Sequence, residues 1–255
     1  MKLLRAIRGE FRKTMSLPAA LVGIAIALLA PLGIALLAAV NNGRPPGAAS
    51  PSPADVVFNA MALGTVGAVI LGVIVVSSEF AVNSPDAGGG RQISATLIAV
   101  PSRLIVLVSK VAVVIIVVSL TAAATTTAGL WLVHAIVGSG PDDLLDMVTR
   151  SAGVALYWTC MALIAFAVTV LTRSGIAPLV WFIANSSVIS VSLLLSKLTP
   201  AARYLPDLAG MRLFAAPSSI AVQDPLEPVS GAIVMTAWGL GLLTISATAF
   251  SRRDA

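Results

Sequence analysis

Charge is what this chain has least of: Asp, Glu, Lys and Arg together make up 11% of its 255 residues, whereas soluble domains run nearer a quarter. No polar stretch is long enough to bury a core of its own, which excludes a separate soluble catalytic domain. Cysteine occurs once, at Cys160 inside an apolar run. That excludes a disulfide or a Cys-based metal site and leaves a small packing residue. Histidine also occurs once, at His134 near the end of an apolar run, where a capping or interfacial role fits. No Ser/His pair lies at membrane depth, no His-x-x-x-His or Glu-x-x-His occurs, and no Asp falls inside an apolar run. Intramembrane proteases, metalloproteases and proton relays therefore lack their residues, and no metal site is expected. A Gly-x-x-x-x-Gly-Lys-Ser/Thr phosphate loop is missing too; Gly88-Gly89-Gly90 follows no strand and precedes no Lys-Ser/Thr. The chain is not expected to be an enzyme, and it does not hydrolyse ATP by that route.

What is abundant is apolar sequence, 58% of the residues. Runs of about 20 residues without charge are what a bilayer core of roughly 30 Å requires of a helix. Six such runs predict an all-α membrane protein with spans near 17–40, 56–78, 104–133, 150–172, 176–196 and 229–250. The third is long enough to tilt or to extend beyond the bilayer. The run after Ser16 is too long for a signal peptide's apolar region, so the basic start reads as part of the protein and not as a cleaved leader.

The basic residues set the orientation. Lys2, Arg5, Arg8, Arg12, Lys13, Arg91, Arg103, Lys110, Arg173, Arg252 and Arg253 fall on one side, against Arg44, Arg150, Lys197, Arg203 and Arg212 on the other. The richer side is cytoplasmic by the positive-inside rule, which places both termini and the Ser78–Lys110 loop there. The net charge of +5 is thus a topology signal, and no nucleic-acid partner is implied. Residues 1–16 form a basic amphipathic helix, with Leu3, Leu4, Ile7, Phe11 and Met15 on one face and the five basic residues on the others. Such a helix lies in the inner interface and is drawn to anionic lipid.

On the other side, Asn41 to Asp55 is rich in Pro, Gly and Ser and reads as a solvated loop. Asp142, Asp143 and Asp146 read as helix-capping carboxylates. The loop 197–228 mixes Tyr204, Leu205, Leu208, Met211, Leu213 and Phe214 with prolines at 200, 206, 217, 225 and 228. It suits short helices dipping into the outer interface in re-entrant fashion.

The loop between the second and third spans is the most organised polar segment. It runs from Ser78-Glu79-Phe80 through the glycine triplet to Thr96-Leu97-Ile98-Ala99-Val100-Pro101-Ser102-Arg103, and then to Lys110 inside the next span. A basic amphipathic N-terminal helix, six spans, this loop and the proline-broken outer loop together resemble the ABC-2 type permeases, the membrane subunits of ABC exporters. Many bacterial members show a Ser-Glu-aromatic, a Gly/Thr patch, a Thr-Leu followed by Pro-x-Arg, and a lysine one or two turns into the next span. Where some carry Tyr-x-x-Gly-Thr after the Glu, this chain has Ala81-Val82-Asn83-Ser84-Pro85.

The resemblance implies a multi-pass protein of a bacterial plasma membrane whose loop 79–103 is a coupling helix seated in a groove of a separate ATP-binding subunit. Glu79, Phe80, Arg91, Gln92, Ile93, Thr96, Leu97, Pro101, Arg103 and Lys110 are its candidate residues. ATP and Mg would be bound by that partner and by no cofactor site in this chain. It further implies a second permease subunit and a path lined by Phe58, Met61 and Thr65 on span two and by Trp181, Asn185, Val188, Ile189 and Ser192 on span five. Such a path is apolar, which suits an amphiphilic or hydrophobic cargo such as a drug, a lipid or an antimicrobial peptide. A standalone secondary carrier and a non-transporting membrane scaffold are the other readings; a carrier is expected to show intramembrane carboxylates or repeated broken helices. Glu79 and Lys110, at neighbouring span ends, are positioned to pair across the base of the loop.

Overall fold

An apolar run in a bilayer must bond its own backbone, and a helix is the single-segment way to do so. The computed structural model describes residues 2–41, 52–80, 96, 102–137, 143–187, 191–216 and 226–252, and all its elements are helical. They are α1 (Lys2–Ser16), α2 (Pro18–Asn41), α3 (Pro53–Ala60) running through a 3-10 turn, Met61–Gly64, into α4 (Thr65–Phe80), α5 (Arg103–Val137), α6 (Leu144–Thr172), α7 (Ile176–Ser187), α8 (Val191–Ser196), a 3-10 turn at Pro200–Tyr204, α9 (Pro206–Met211) and α10 (Pro228–Arg252). Among the described residues five helices are long and apolar enough to cross a membrane: α2, the α3–α4 unit, α5, α6 and α10. The expected span 176–196 is described as α7 and α8, with residues 188–190 between them outside the described residues; neither piece alone reaches membrane length.

Local chemistry moves several ends beyond the apolar runs. Ser52 caps α3, accepting from Asp55 N at 3.1 Å with Pro53 in the first turn, so the second span starts earlier than 56. Asp143 does the same for α6, accepting from Leu145 N at 3.0 Å, which starts that helix at 144 instead of 150. At its far end Arg173 takes a left-handed conformation (φ 53°) and stops the helix.

The middle of the bundle is α6, packed against α4, α5 and α10, while α2 packs on α4 and α5. Small residues let α2 and α4 approach closely: a Cβ on Gly67 would stand 2.3 Å from Gly23 O. Trp158, fully buried, anchors the centre. The 3-10 turn takes Met61 O out of the regular α-helical bonding pattern, and the Trp158 indole N–H donates to it at 3.0 Å. Pro31 in α2 likewise leaves Ala27 O without its α-helical donor. Thr125 Oγ1 on α5 lies 3.4 Å from that oxygen while bonding Thr121 O at 2.8 Å, so its one proton is shared.

The outer-loop expectation takes a definite form. α9 packs on α10 and α6, Gly210 faces the Tyr157 ring, and Phe214 stacks at a tilt on Tyr157 with centroids 5.2 Å apart. Tyr157 is seven residues along α6 from Arg150, about 10 Å inward at 1.5 Å per residue. The segment therefore dips into the bundle.

Candidate functional site

At one end of the bundle four charged side chains from three elements meet. Lys110, two turns into α5, donates to Glu10 Oε2 at 2.6 Å, Glu79 Oε1 at 2.7 Å and Val75 O at 3.3 Å. An ammonium has three protons, and each finds an acceptor. Glu79, in the last turn of α4, also accepts from Lys13 of α1 on Oε1 and from the Thr96 hydroxyl on Oε2 at 3.0 Å. Lys110 is 4% exposed, Glu79 2% and Glu10 9%. Two acids against two lysines make the cluster neutral, the condition under which charges withstand burial. A carboxylate at a helix C-terminus also opposes the helix dipole, so Glu79 depends on its lysines.

The network fastens α1, α4 and α5 to the segment that carries Thr96. Nearby, Arg103 Nη1 donates to Phe250 O at 3.4 Å, tying the start of α5 to the end of α10. The Arg173 guanidinium stands 6.0 Å from the Phe80 ring centroid. Phe80, Phe166 and Phe250 border an apolar cavity of about 20 Å³ beside the ion network, room for a single water.

Of the residues expected at this site, the structure brings together Glu79, Thr96 and Lys110, with Phe80 and Arg103 at the same end of the bundle. Arg91, Gln92, Ile93, Leu97 and Pro101 lie outside the described residues. The expected path residues are not gathered on one open face. Phe58, Met61 and Thr65 are buried within the chain, whereas Trp181 on α7 is exposed and Ser192 on α8 is buried. Asn185 lies on α7; Val188 and Ile189 fall outside the described residues.

Sequence reasoning missed Glu10. The signal was there: Leu3, Ile7, Glu10 and Thr14 recur at helical spacing, and Glu10 and Thr14 are the buried positions of α1, while Leu4 is 73% exposed. Thr14 Oγ1 satisfies itself on the backbone, donating to Glu10 O at 2.9 Å, while the Glu10 carboxylate accepts from Lys110.

The opposite end has its own hub. Arg150 of α6 donates from Nε to Phe214 O at 2.8 Å and pairs with Asp55 Oδ1 at 2.9 Å and Asp146 Oδ2 at 3.4 Å. Its guanidinium lies 4.3 Å over the Phe58 ring, and Asn59 Oδ1 accepts from Ala216 N at 3.2 Å. The dipping segment is thereby pinned to α3 and α6. His134 Nδ1 lies 2.8 Å from Leu130 O, a local contact at the end of α5, and Cys160 is a buried packing residue.

No family model matches this chain, and no curated protein matches it.

Proposed function

We propose that this chain is the membrane-spanning permease subunit of an ATP-driven exporter, powered by a separate ATP-binding subunit that docks on the segment 79–103. The observation that carries the reading is the buried network around Glu79. A push delivered on that segment at Thr96 reaches the Glu79 carboxylate directly, and through Lys110 and Lys13 it reaches α5 and α1. Close-packed, fully bonded groups transmit a displacement that a solvated linker would absorb.

Under this reading 176–196 is a fifth span of six, both termini and the network are cytoplasmic, and two permease subunits enclose the path. The gathering of Lys13, Lys110, Arg103 and Arg173 near the network supports that sidedness. The uncharged residues named for the path, Phe58, Met61, Thr65, Trp181, Asn185, Ile189 and Ser192, suit a drug-like, lipid or peptide cargo carried out of the cell.

The test is purification of the tagged chain from its own host in nanodiscs. A stoichiometric ATPase subunit should come with it, and Arg91→Glu should release that subunit and abolish ATP-dependent export from vesicles. Arg103 is the poorer probe, because it also holds Phe250 O. A chain that stays alone when ATP-binding subunits are abundant sinks the proposal and leaves the carrier or scaffold reading.

A further inference from the structure

The N-terminal helix uses its two flanks differently. Glu10 and Lys13 turn toward the buried network, whereas Arg5, Arg8 and Arg12 are exposed and form no ion pair among the described residues. Arg5 and Arg8 stand instead on the rim of a groove of about 520 Å³ between α1 and α5, whose remaining wall is apolar: Leu4, Ile7, Phe11 and Ile116. A largely hydrocarbon groove with two guanidinium groups on its rim matches a molecule with an anionic head and an apolar tail.

Its depth in the bundle narrows the choice. α5 has 35 residues, about 52 Å at 1.5 Å per residue, well beyond a hydrocarbon core of roughly 30 Å. The uncharged stretch from Val111 to Val133, between Lys110 and His134, spans about 33 Å, close to that thickness. Ile116 therefore falls about 7 Å inside the headgroup end of the acyl layer, within reach of a guanidinium at its rim. From Ile116 an exposed apolar strip continues along α5 through Leu120 and Ala124. An acidic protein segment or an RNA would find the two arginines but would have no use for that strip, which points into the bilayer.

We propose that this groove is a specific seat for one anionic phospholipid, its phosphate held by Arg5 and Arg8 and one acyl chain lying on Phe11 and Ile116 and then along Leu120. The inference rests on membrane placement alone and holds whether or not the chain is a transporter subunit. The occupant locks α1 against α5 from the side opposite the ion network, so lipid composition would set how firmly the N-terminal helix is held.

Native mass spectrometry of the full chain reads this directly, after delipidation and exchange into nanodiscs of equal phosphatidylglycerol and phosphatidylcholine. One phosphatidylglycerol per chain should survive release from the disc in preference to phosphatidylcholine. A basic contact near an anionic surface is worth about fivefold, so Arg5→Gln with Arg8→Gln should weaken retention about twentyfold or more. Arg12→Gln, which removes one positive charge from the same helix outside the groove, should change it less than twofold, against about fivefold for Arg5→Gln or Arg8→Gln alone. Phe11→Ser, which keeps all the charge, should also lose the lipid. Equal retention of the two lipids, an equal loss with Arg12→Gln, or an unaffected Phe11→Ser each overturns the seat in favour of diffuse surface attraction. Thermal unfolding of every variant checks that the bundle is intact.

Discussion

Lys110 shows how a single side chain can hold several helices at once. Replacing it with Met leaves Glu10 and Glu79 facing each other with only Lys13 between them, an excess negative charge in a buried site. The expected loss is about 3–5 kcal/mol, the cost of stranding one partner of a buried pair. Adding Glu79→Gln to Lys110→Met removes the excess, because Glu10 and Lys13 remain as a balanced pair, and should restore part of the thermal stability. Losses that simply add would mean four independently solvated charges. Glu79 and Lys110 were legible in the sequence because a charge at the edge of an apolar run stands out. Glu10 was not, because it is one acid among five basic residues and the eye follows the apolar stripe. In a bilayer that stripe is a poor guide: Leu4 is satisfied by lipid, whereas a buried carboxylate has no recourse except a partner. Inward faces of interfacial helices are better found from their odd polar residue.

At the scale of elements, the irregularities lie together. Pro31 in α2, the 3-10 turn between α3 and α4, and Trp158 on α6 share one level: a Cβ on Gly64 would stand 2.0 Å from Trp158 Cζ2 and 2.9 Å from Pro31 Cγ. Gly64→Ala cannot be accommodated by a rotamer change and should cost about 1–3 kcal/mol or more through overpacking. Trp158→Phe in the same background relieves part of the clash but removes the indole bond to Met61 O, so the double variant should remain below wild type in thermal unfolding. The long helices and most of their ends could be read from apolar runs, with Asp143 named in advance as a capping residue. The 3-10 turn could not, since Met61 to Gly64 has an ordinary apolar composition, and the Trp158 indole that bonds Met61 O lies nearly a hundred residues away. The fifth run, 176–196, is described only as α7 and α8, with residues 188–190 outside the described residues.

For the molecule as a whole, the two polar hubs at opposite ends are separable. Arg150→Met should raise hydrogen exchange across 206–216, where Phe214 O loses its donor, and leave exchange at the base of α4 and α5 unchanged. Cys160 supplies the readout for all such variants: it is the only cysteine and is buried. A fluorogenic maleimide should label the folded chain slowly and report a single transition on heating; rapid labelling at room temperature would place the thiol at an open surface. The general architecture was visible in the sequence because membrane helices announce themselves, whereas the hubs depend on residues brought together from distant parts of the chain. That distance bears on how the protein is made. Glu10 precedes Lys110 by 100 positions, which at about 5–20 residues per second is some 5–20 s of synthesis. For that interval Glu10 lacks the lysine that neutralises it, although Lys13 can already meet Glu79 once α4 is made. Closure of the network thus marks the arrival of the third long helix, making it a checkpoint in insertion as well as a joint in the finished molecule.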